Sequence, residues 1–265
     1  MTSRKSRIAL VSSILSTSPN RIYPLAYFQQ RFGAAKSSIS EDIAEVRRAF
    51  EECGVGTIES VPGLHGGVRF VPCNEDADEI LEEIVENLTN PWRALPGGML
   101  FLSDVFSTPR YVDAMAATIT GWFQGIDIRR VVTVETKGIP LAMSVARLLD
   151  VPLAIARHEM KMTDGPAIST HYTSGSTRRV QTLSIAKRTL AENEPVAIVD
   201  DFISGGGTIR AITDVLKEMH VPVAGTGAAM VRRTPARKKI QDFHALFWVG
   251  ELSASRISIE RAKEP

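Results

Sequence analysis

Val196–Thr208, VAIVDDFISGGGT, is the stretch on which the reading of this chain turns. Val196 to Val199 form an apolar run of the length of a buried strand, and the run ends on two carboxylates, Asp200 and Asp201. A small-residue loop, Ser204-Gly205-Gly206-Gly207, comes next, and Thr208 leads into a segment (209–219) with Ile212, Val215, Leu216 and Met219 at helical spacing. In an open α/β sheet such a strand-to-helix turn binds anions, because loop amides and the helix dipole converge there. Glycines let the backbone approach a phosphate with its N–H groups turned inward, and carboxylates accept hydrogen bonds from vicinal sugar hydroxyls. The lysine of a P-loop is missing, and the spacing is not that of a dinucleotide fingerprint.

Working outward, buried strands alternate with amphipathic helices: 131–134, a helix over 141–149, 153–156, then 196–199, 209–219 and 223–231. This alternation predicts a mainly parallel sheet covered by helices. Val134–Pro140, VETKGIP, sits at a strand end before a helix, about sixty residues ahead of the acidic pair. Together the two loops resemble those of type I phosphoribosyltransferases. The resemblance implies that Asp200 and Asp201 hold ribose hydroxyls with Phe202 at the same phosphoribosyl site, that Ser204 to Thr208 (Ser204, Gly205, Gly206, Gly207, Thr208) wrap a 5'-phosphate, and that Thr136, Lys137 and Gly138 face a pyrophosphate. Arg157 and Lys161 are further candidates for phosphate contacts. The polar excursion 168–176 stands where that family carries its flexible hairpin. The histidines of this region read as solvated, no residue presents itself as a general base, and no metal-ligand cluster is evident.

The first seventy residues have a different grammar. Apolar spacing predicts helices over 6–15 and 24–32, the second opened by Pro24 and stopped by Gly33. A third helix follows, with Ser38 and Glu41 spaced as a capping box and Ile39, Ile43, Val46 and Phe50 on one face. Alternating runs at 57–61 and 67–71 flank Pro62-Gly63-Leu64-His65-Gly66 and predict a hairpin. Three helices and a hairpin are the order of a winged helix. Its DNA-facing candidates are Lys36, Ser37, Ser38 and Ser40 on the third helix and His65, Gly66, Gly67 and Arg69 on the wing.

The expected fold is therefore an α+β winged helix-turn-helix domain followed by an α/β domain with a mainly parallel sheet, of the type I phosphoribosyltransferase kind. The boundaries are 1–74 and 75–265, with a connecting helix at about 75–90. Ala35–Asp42, the wing with Val61-Pro62-Gly63 and Gly66-Gly67-Val68, Pro96-Gly97-Gly98, Thr136–Pro140 and Val199–Phe202 together resemble the purine operon repressor family of Gram-positive bacteria. That resemblance implies a homodimeric regulator binding a double-stranded DNA operator, without enzymatic activity. Phosphoribosyl pyrophosphate, with or without Mg2+, is then an inducer, and guanine alarmone nucleotides compete for its pocket; no cofactor is required. Ile203-Ser204-Gly205-Gly206 lacks a basic residue found in some relatives, which leaves nucleotide preference open. The alternative is an active purine phosphoribosyltransferase with an appended winged helix; a winged helix used for protein docking is a third reading.

Bulk properties exclude other classes. With 44% hydrophobic and 23% charged residues the chain is an ordinary globular one. No apolar run approaches the ~18–20 residues of a membrane span, and the start reads as a mature cytosolic N-terminus, so a cytoplasmic location is expected. Net charge is +1, but Met1–Cys73 holds nine basic against six acidic residues, a bias compatible with DNA. Cys53 and Cys73 have neither metal-site spacing nor a disulfide framework. Arg237-Lys238-Lys239 reads as a solvated face.

Overall fold

The computed structural model describes residues 2–73, 76–160, 162–173, 180–253 and 256–263. The chain divides into two compact units, one built on the first 76 residues with Arg147–Asp150, the other on Ala77–Ala146 and the chain from Val151 onward.

In the first unit, α1 (Arg4–Thr17), α2 (Leu25–Phe32) and α3 (Lys36–Glu52) precede strands β1 (Gly56–Val61) and β2 (Gly67–Pro72), which pair antiparallel. The predicted order holds, with α1 longer at both ends than its apolar spacing marks. Gly33 ends α2 in the left-handed conformation at φ +61°, which suits a glycine. The capping box is not formed. α3 begins at Lys36 with Ala35 as its N-cap and no side-chain cap, so Ser38 and Glu41 are one turn apart inside the helix. Starting there puts Ile39, Ile43 and Val46 inward with Val11, Leu15, Phe28, Phe32, Ile58 and Phe70. Tyr23 adds a bridge to Val68.

The second unit opens with α4 (Ala77–Leu88), a hairpin of β3 (Ala94–Leu95) and β4 (Met99–Leu100), and α5 (Pro109–Trp122). Then come β5 (Arg130–Val134), α6 (Gly138–Leu149), β6 (Leu153–Ala156), the hairpin β7 (Ala167–Thr173) and β8 (Val180–Ala186), β9 (Val196–Ile203), α7 (Gly207–Glu218), β10 (Val223–Arg232), β11 (His244–Leu252) and β12 (Ile257–Arg261). The central sheet runs β12-β11-β10-β9-β5-β6 and is parallel except for the β11–β12 pair. From β5 the chain winds outward to β6, and from β9 it winds the other way through β10 to β12. The order therefore reverses between β5 and β9, and a crevice opens beyond the ends of strands at such a switch point. Both signature loops leave the sheet there. The core under them includes Val132, Val196, Ile198, Ile212, Val215 and Leu216. Met219, expected inward, packs on this core while only partly buried. Sequence spacing gave no element for α5 or β11. No helix among the described residues is long and apolar enough to cross a membrane.

Candidate functional site

The β9 strand delivers Asp200 and Asp201 to the crevice, and the chain then turns through Ser204–Gly206 into α7. Gly206 takes φ +78° as the N-cap of α7, a conformation that side chains rarely adopt. A Cβ there would also lie 2.9 Å from Ile240 Cγ1. Gly207 lies under the β7–β8 hairpin, where a Cβ would come 3.0 Å from the Thr173 carbonyl oxygen. The Lys239 amide donates to the Gly205 carbonyl at 2.9 Å. The loop is thus braced from two sides, while nothing lies within 4 Å of a Cβ position on Gly205.

A cavity of about 350 Å³ opens over this loop and is lined by every residue from Asp200 to Ile209 and by Lys137. All eight residues picked from the VAIVDDFISGGGT stretch meet at one place. Thr136 and Gly138 stand behind Lys137 rather than on the cavity wall. Gly138 allows close packing: a Cβ there would lie 2.7 Å from Thr133 Oγ1 and 3.0 Å from Asp200 Oδ1. Arg157 is not on the wall either. It pairs with Glu135 (3.5 Å), whose other oxygen accepts from the His158 amide at 2.6 Å. Lys161 lies outside the described residues.

The far wall was not foreseen. Met99 and Leu100 of the β3–β4 hairpin, with Leu102 and Leu252, give it an apolar surface, and Arg232 adds a guanidinium. Arg232 Nη2 donates to the Gly98 carbonyl at 3.3 Å, and its buried Nε has no partner among the described residues. The sequence signal was the Pro96-Gly97-Gly98 turn, which counted toward the family resemblance but was assigned no place in the site.

Burial, with the Asp201 carboxylate beside it, pushes Asp200 well above the usual carboxyl range. Burial raises Asp201 as well, opposed by its hydrogen bond with Asp200 and by the Lys137 charge. The Asp201 amide donates to Asp200 Oδ1 at 3.0 Å. Both shifts favour the protonated form of the pair, and hydroxyl donors or a cation would favour the ionised one. Loop amides at the start of α7 suit a phosphate, Lys137 a second phosphate, and the apolar wall a planar group. Among the described residues no histidine, cysteine or glutamate lines the cavity.

In the first unit Lys36, Ser37 and Ser40 are exposed at the start of α3 and Ser38 is half-buried. On the wing His65 is exposed beside Leu64, which is 96% exposed. Gly66 and Gly67 serve close backbone approach, with Cβ positions 2.2 Å from the Val61 and Tyr23 carbonyl oxygens respectively. Arg69 gives both Nε (2.9 Å) and Nη2 (2.7 Å) to Glu59 Oε2 across the hairpin.

Residues 3–72 match the family model of the bacterial purine repressor N-terminal domain, and residues 106–251 that of the phosphoribosyl transferase domain. The chain is 36% identical over 259 residues to the purine biosynthesis transcriptional repressor PurR of Bacillus subtilis, covering 97% of this chain and 91% of the relative. The purine biosynthesis transcriptional activator PurR of Lactococcus lactis subsp. lactis is also 36% identical over 259 residues, covering 97% and 96%. In three dimensions the APRTase from Giardia lamblia complexed with 9-deazaadenine matches with a TM-score of 0.53 at 22% identity, over 61% of this chain and 93% of that one, a likeness of fold.

Proposed function

This chain belongs to the PurR family of purine biosynthesis transcriptional regulators, and from that premise we propose that it represses purine-synthesis genes and is released from its operator by phosphoribosyl pyrophosphate. The observation that carries the reading is the single cavity in which two carboxyls, a glycine loop at a helix start and Lys137 converge. Each component answers one part of that ligand: hydroxyls to Asp200 and Asp201, the 5'-phosphate to Ser204–Thr208, the pyrophosphate to Lys137. Guanine alarmone nucleotides compete for the same place. The Arg232 guanidinium supplies donors only, which suit the O6/N7 acceptor edge of guanine, and Met99 and Leu252 supply the apolar surface.

Mg2+ enters on the pyrophosphate. Among the described residues no three His, Cys, Asp or Glu side chains converge to cage a metal, and Mg2+ commonly binds through one or two carboxylates and substrate phosphates. The protein works as a homodimer, since two-fold symmetry matches palindromic half-sites. The ligand acts by favouring a protein state that binds DNA less well, so effector and operator weaken each other.

The test is duplex binding to purine-gene promoter fragments at fixed salt, with and without phosphoribosyl pyrophosphate, for wild type and the Asp200→Ala/Asp201→Ala variant. Specific binding weakened by the ligand in the wild type alone is the expected result. Absence of specific binding, or equal weakening of both proteins, overturns it. The intact phosphate loop and Lys137 also support a second reading, an active purine phosphoribosyltransferase. Nucleotide formation from phosphoribosyl pyrophosphate, Mg2+ and a purine base at an ordinary enzymic rate would establish that activity; its absence would leave the cavity as an effector site alone.

A further inference from the structure

β11 begins at His244, opposite Gly227 of β10. The four residues of β10 before that point, Val223–Thr226, pair with β9 through a bulge, and have no strand partner on the other side among the described residues. An interior strand thus carries a free backbone edge at its start. Thr226 is buried and Val223 to Gly225 are half-buried. Half-buried backbone N–H and C=O groups on a strand edge call for partners, and an added strand supplies them.

Beside this edge opens a groove of about 1120 Å³. Phe123 forms part of its floor, close enough that a Cβ on Gly225 would lie 2.7 Å from its ring. Trp122 and His244 pack ring to ring at 5.3 Å in its lining, to which α7 adds Ile209 and Thr213.

The rim is basic. Arg237 and Lys239 are exposed and carry no ion pair among the described residues. Arg210 is tied to Asp214 at 2.9 Å, and Lys238 turns away to the Arg232 and Pro235 carbonyls. Asp242 is the one carboxylate in the lining among the described residues. The Arg237–Lys239 segment, left as a solvated face by its sequence, is therefore the wall of a groove. It also braces the phosphate loop, through the Lys239 amide on Gly205 and Ile240 beneath Gly206.

We propose that this groove docks an extended, acidic segment of a partner protein, added as a strand along Val223–Thr226 with its carboxylates on Arg237 and Lys239. Main-chain pairing to an exposed edge gives affinity in such complexes, and side-chain contacts on alternate residues give specificity. The net positive rim selects carboxylates, and the aromatic floor takes the apolar residues between them.

The test uses the full chain and a fluorescein-labelled peptide alternating Glu and Val, with a Lys-Val peptide as counterpart. Binding is read by anisotropy, and its place by hydrogen exchange of residues 223–226. The expected result is saturable binding of the Glu-Val peptide below about 1 mM, slowed exchange over 223–226, and affinity reduced about tenfold or more in Arg237→Glu/Lys239→Glu. Both substituted side chains are exposed, so this variant is expected to melt with the wild type. No binding, equal binding of the Lys-Val peptide, or binding that leaves exchange at 223–226 unchanged would overturn the proposal. Neither arm uses the effector, so failure here leaves the effector reading standing.

Discussion

Gly138 and Asp200, sixty-two positions apart in sequence, meet where the two signature loops leave the sheet: a Cβ on Gly138 would stand 3.0 Å from Asp200 Oδ1 and 2.7 Å from Thr133 Oγ1. Both neighbours are buried and short-chained. Neither can swing away as the end of a long side chain could. Gly138→Ala is expected to destabilise the protein by about 1–3 kcal/mol through overpacking. It should also displace Asp200 and reduce the stabilisation that phosphoribosyl pyrophosphate gives. Denaturant melts with and without the ligand check both effects; a variant with unaltered stability and an unaltered ligand response contradicts the packing argument.

Asp200 is held with a raised pKa by burial and by Asp201. A carboxyl raised in the folded state gives stability that is full at low pH and lost as pH rises through the folded pKa. Asn is neutral throughout, so Asp200→Asn should melt with the wild type in acid and above it at neutral pH. The expected gain is about 1–2 kcal/mol, typical of relieving one unfavourable functional group. The same variant should lose its response to the effector, separating stability from function.

The raised pKa of the pair makes a further prediction about binding. Ribose hydroxyls donate to ionised carboxylates, so the ligand favours the charged form and binding releases a proton. Affinity should therefore rise with pH up to the raised pKa and level off above it. Calorimetry in two buffers of different ionisation heat measures the release, after correction for titration of the free ligand's own phosphates over the same pH range. Proton uptake attributable to Asp200 would reverse the sign and refute the argument.

How much of this was legible in the sequence depended on contiguity. The loop from Asp200 to Thr208 is one uninterrupted stretch, and its residue types state their chemistry. The opposite wall comes from Gly98, Met99, Leu100, Leu102, Arg232 and Leu252, which only the fold brings together. Arg157 looked free to reach a phosphate because its partner is invisible in one dimension. Val134 pairs in register with Ala156, which sets Glu135 beside Arg157. The Ser38–Glu41 spacing misled for another reason: three residues apart is also one turn in the interior of any helix. Short apolar runs such as 244–252 do not declare themselves as strand or helix.

The first unit holds a buried ion pair that spacing could not reveal. Arg7 Nε of α1 donates to Asp42 Oδ2 of α3 at 2.6 Å, with the Asp42 side chain 1% exposed. Arg4 stands 3.5 Å from the same carboxylate but is largely exposed. Removing one partner of such a pair leaves a buried charge, whereas replacing both with apolar residues is often neutral. Arg7→Ala is expected to destabilise by about 3–5 kcal/mol and to loosen α3, and with it operator binding. Arg7→Met/Asp42→Leu should recover most of the stability. Equal loss in the single and double variants, read from denaturant melts, would show that packing rather than charge dominates.

Lys36 and Arg69 were both candidates for DNA contact, yet their surroundings differ. Lys36 is exposed at the first turn of α3, while Arg69 donates from Nε and Nη2 to Glu59. Each phosphate neutralised by a cation makes log K fall with log salt by a slope of about 0.9. Lys36→Ala should therefore weaken binding to all duplexes alike and make the slope shallower by about 1 for each copy engaged, hence about 2 for a dimer on two half-sites. Arg69→Ala should leave the slope nearly unchanged, because its charge is already matched by Glu59. Binding isotherms at several salt concentrations distinguish the two residues. A slope altered by Arg69→Ala and not by Lys36→Ala would move the phosphate contacts from the helix to the wing.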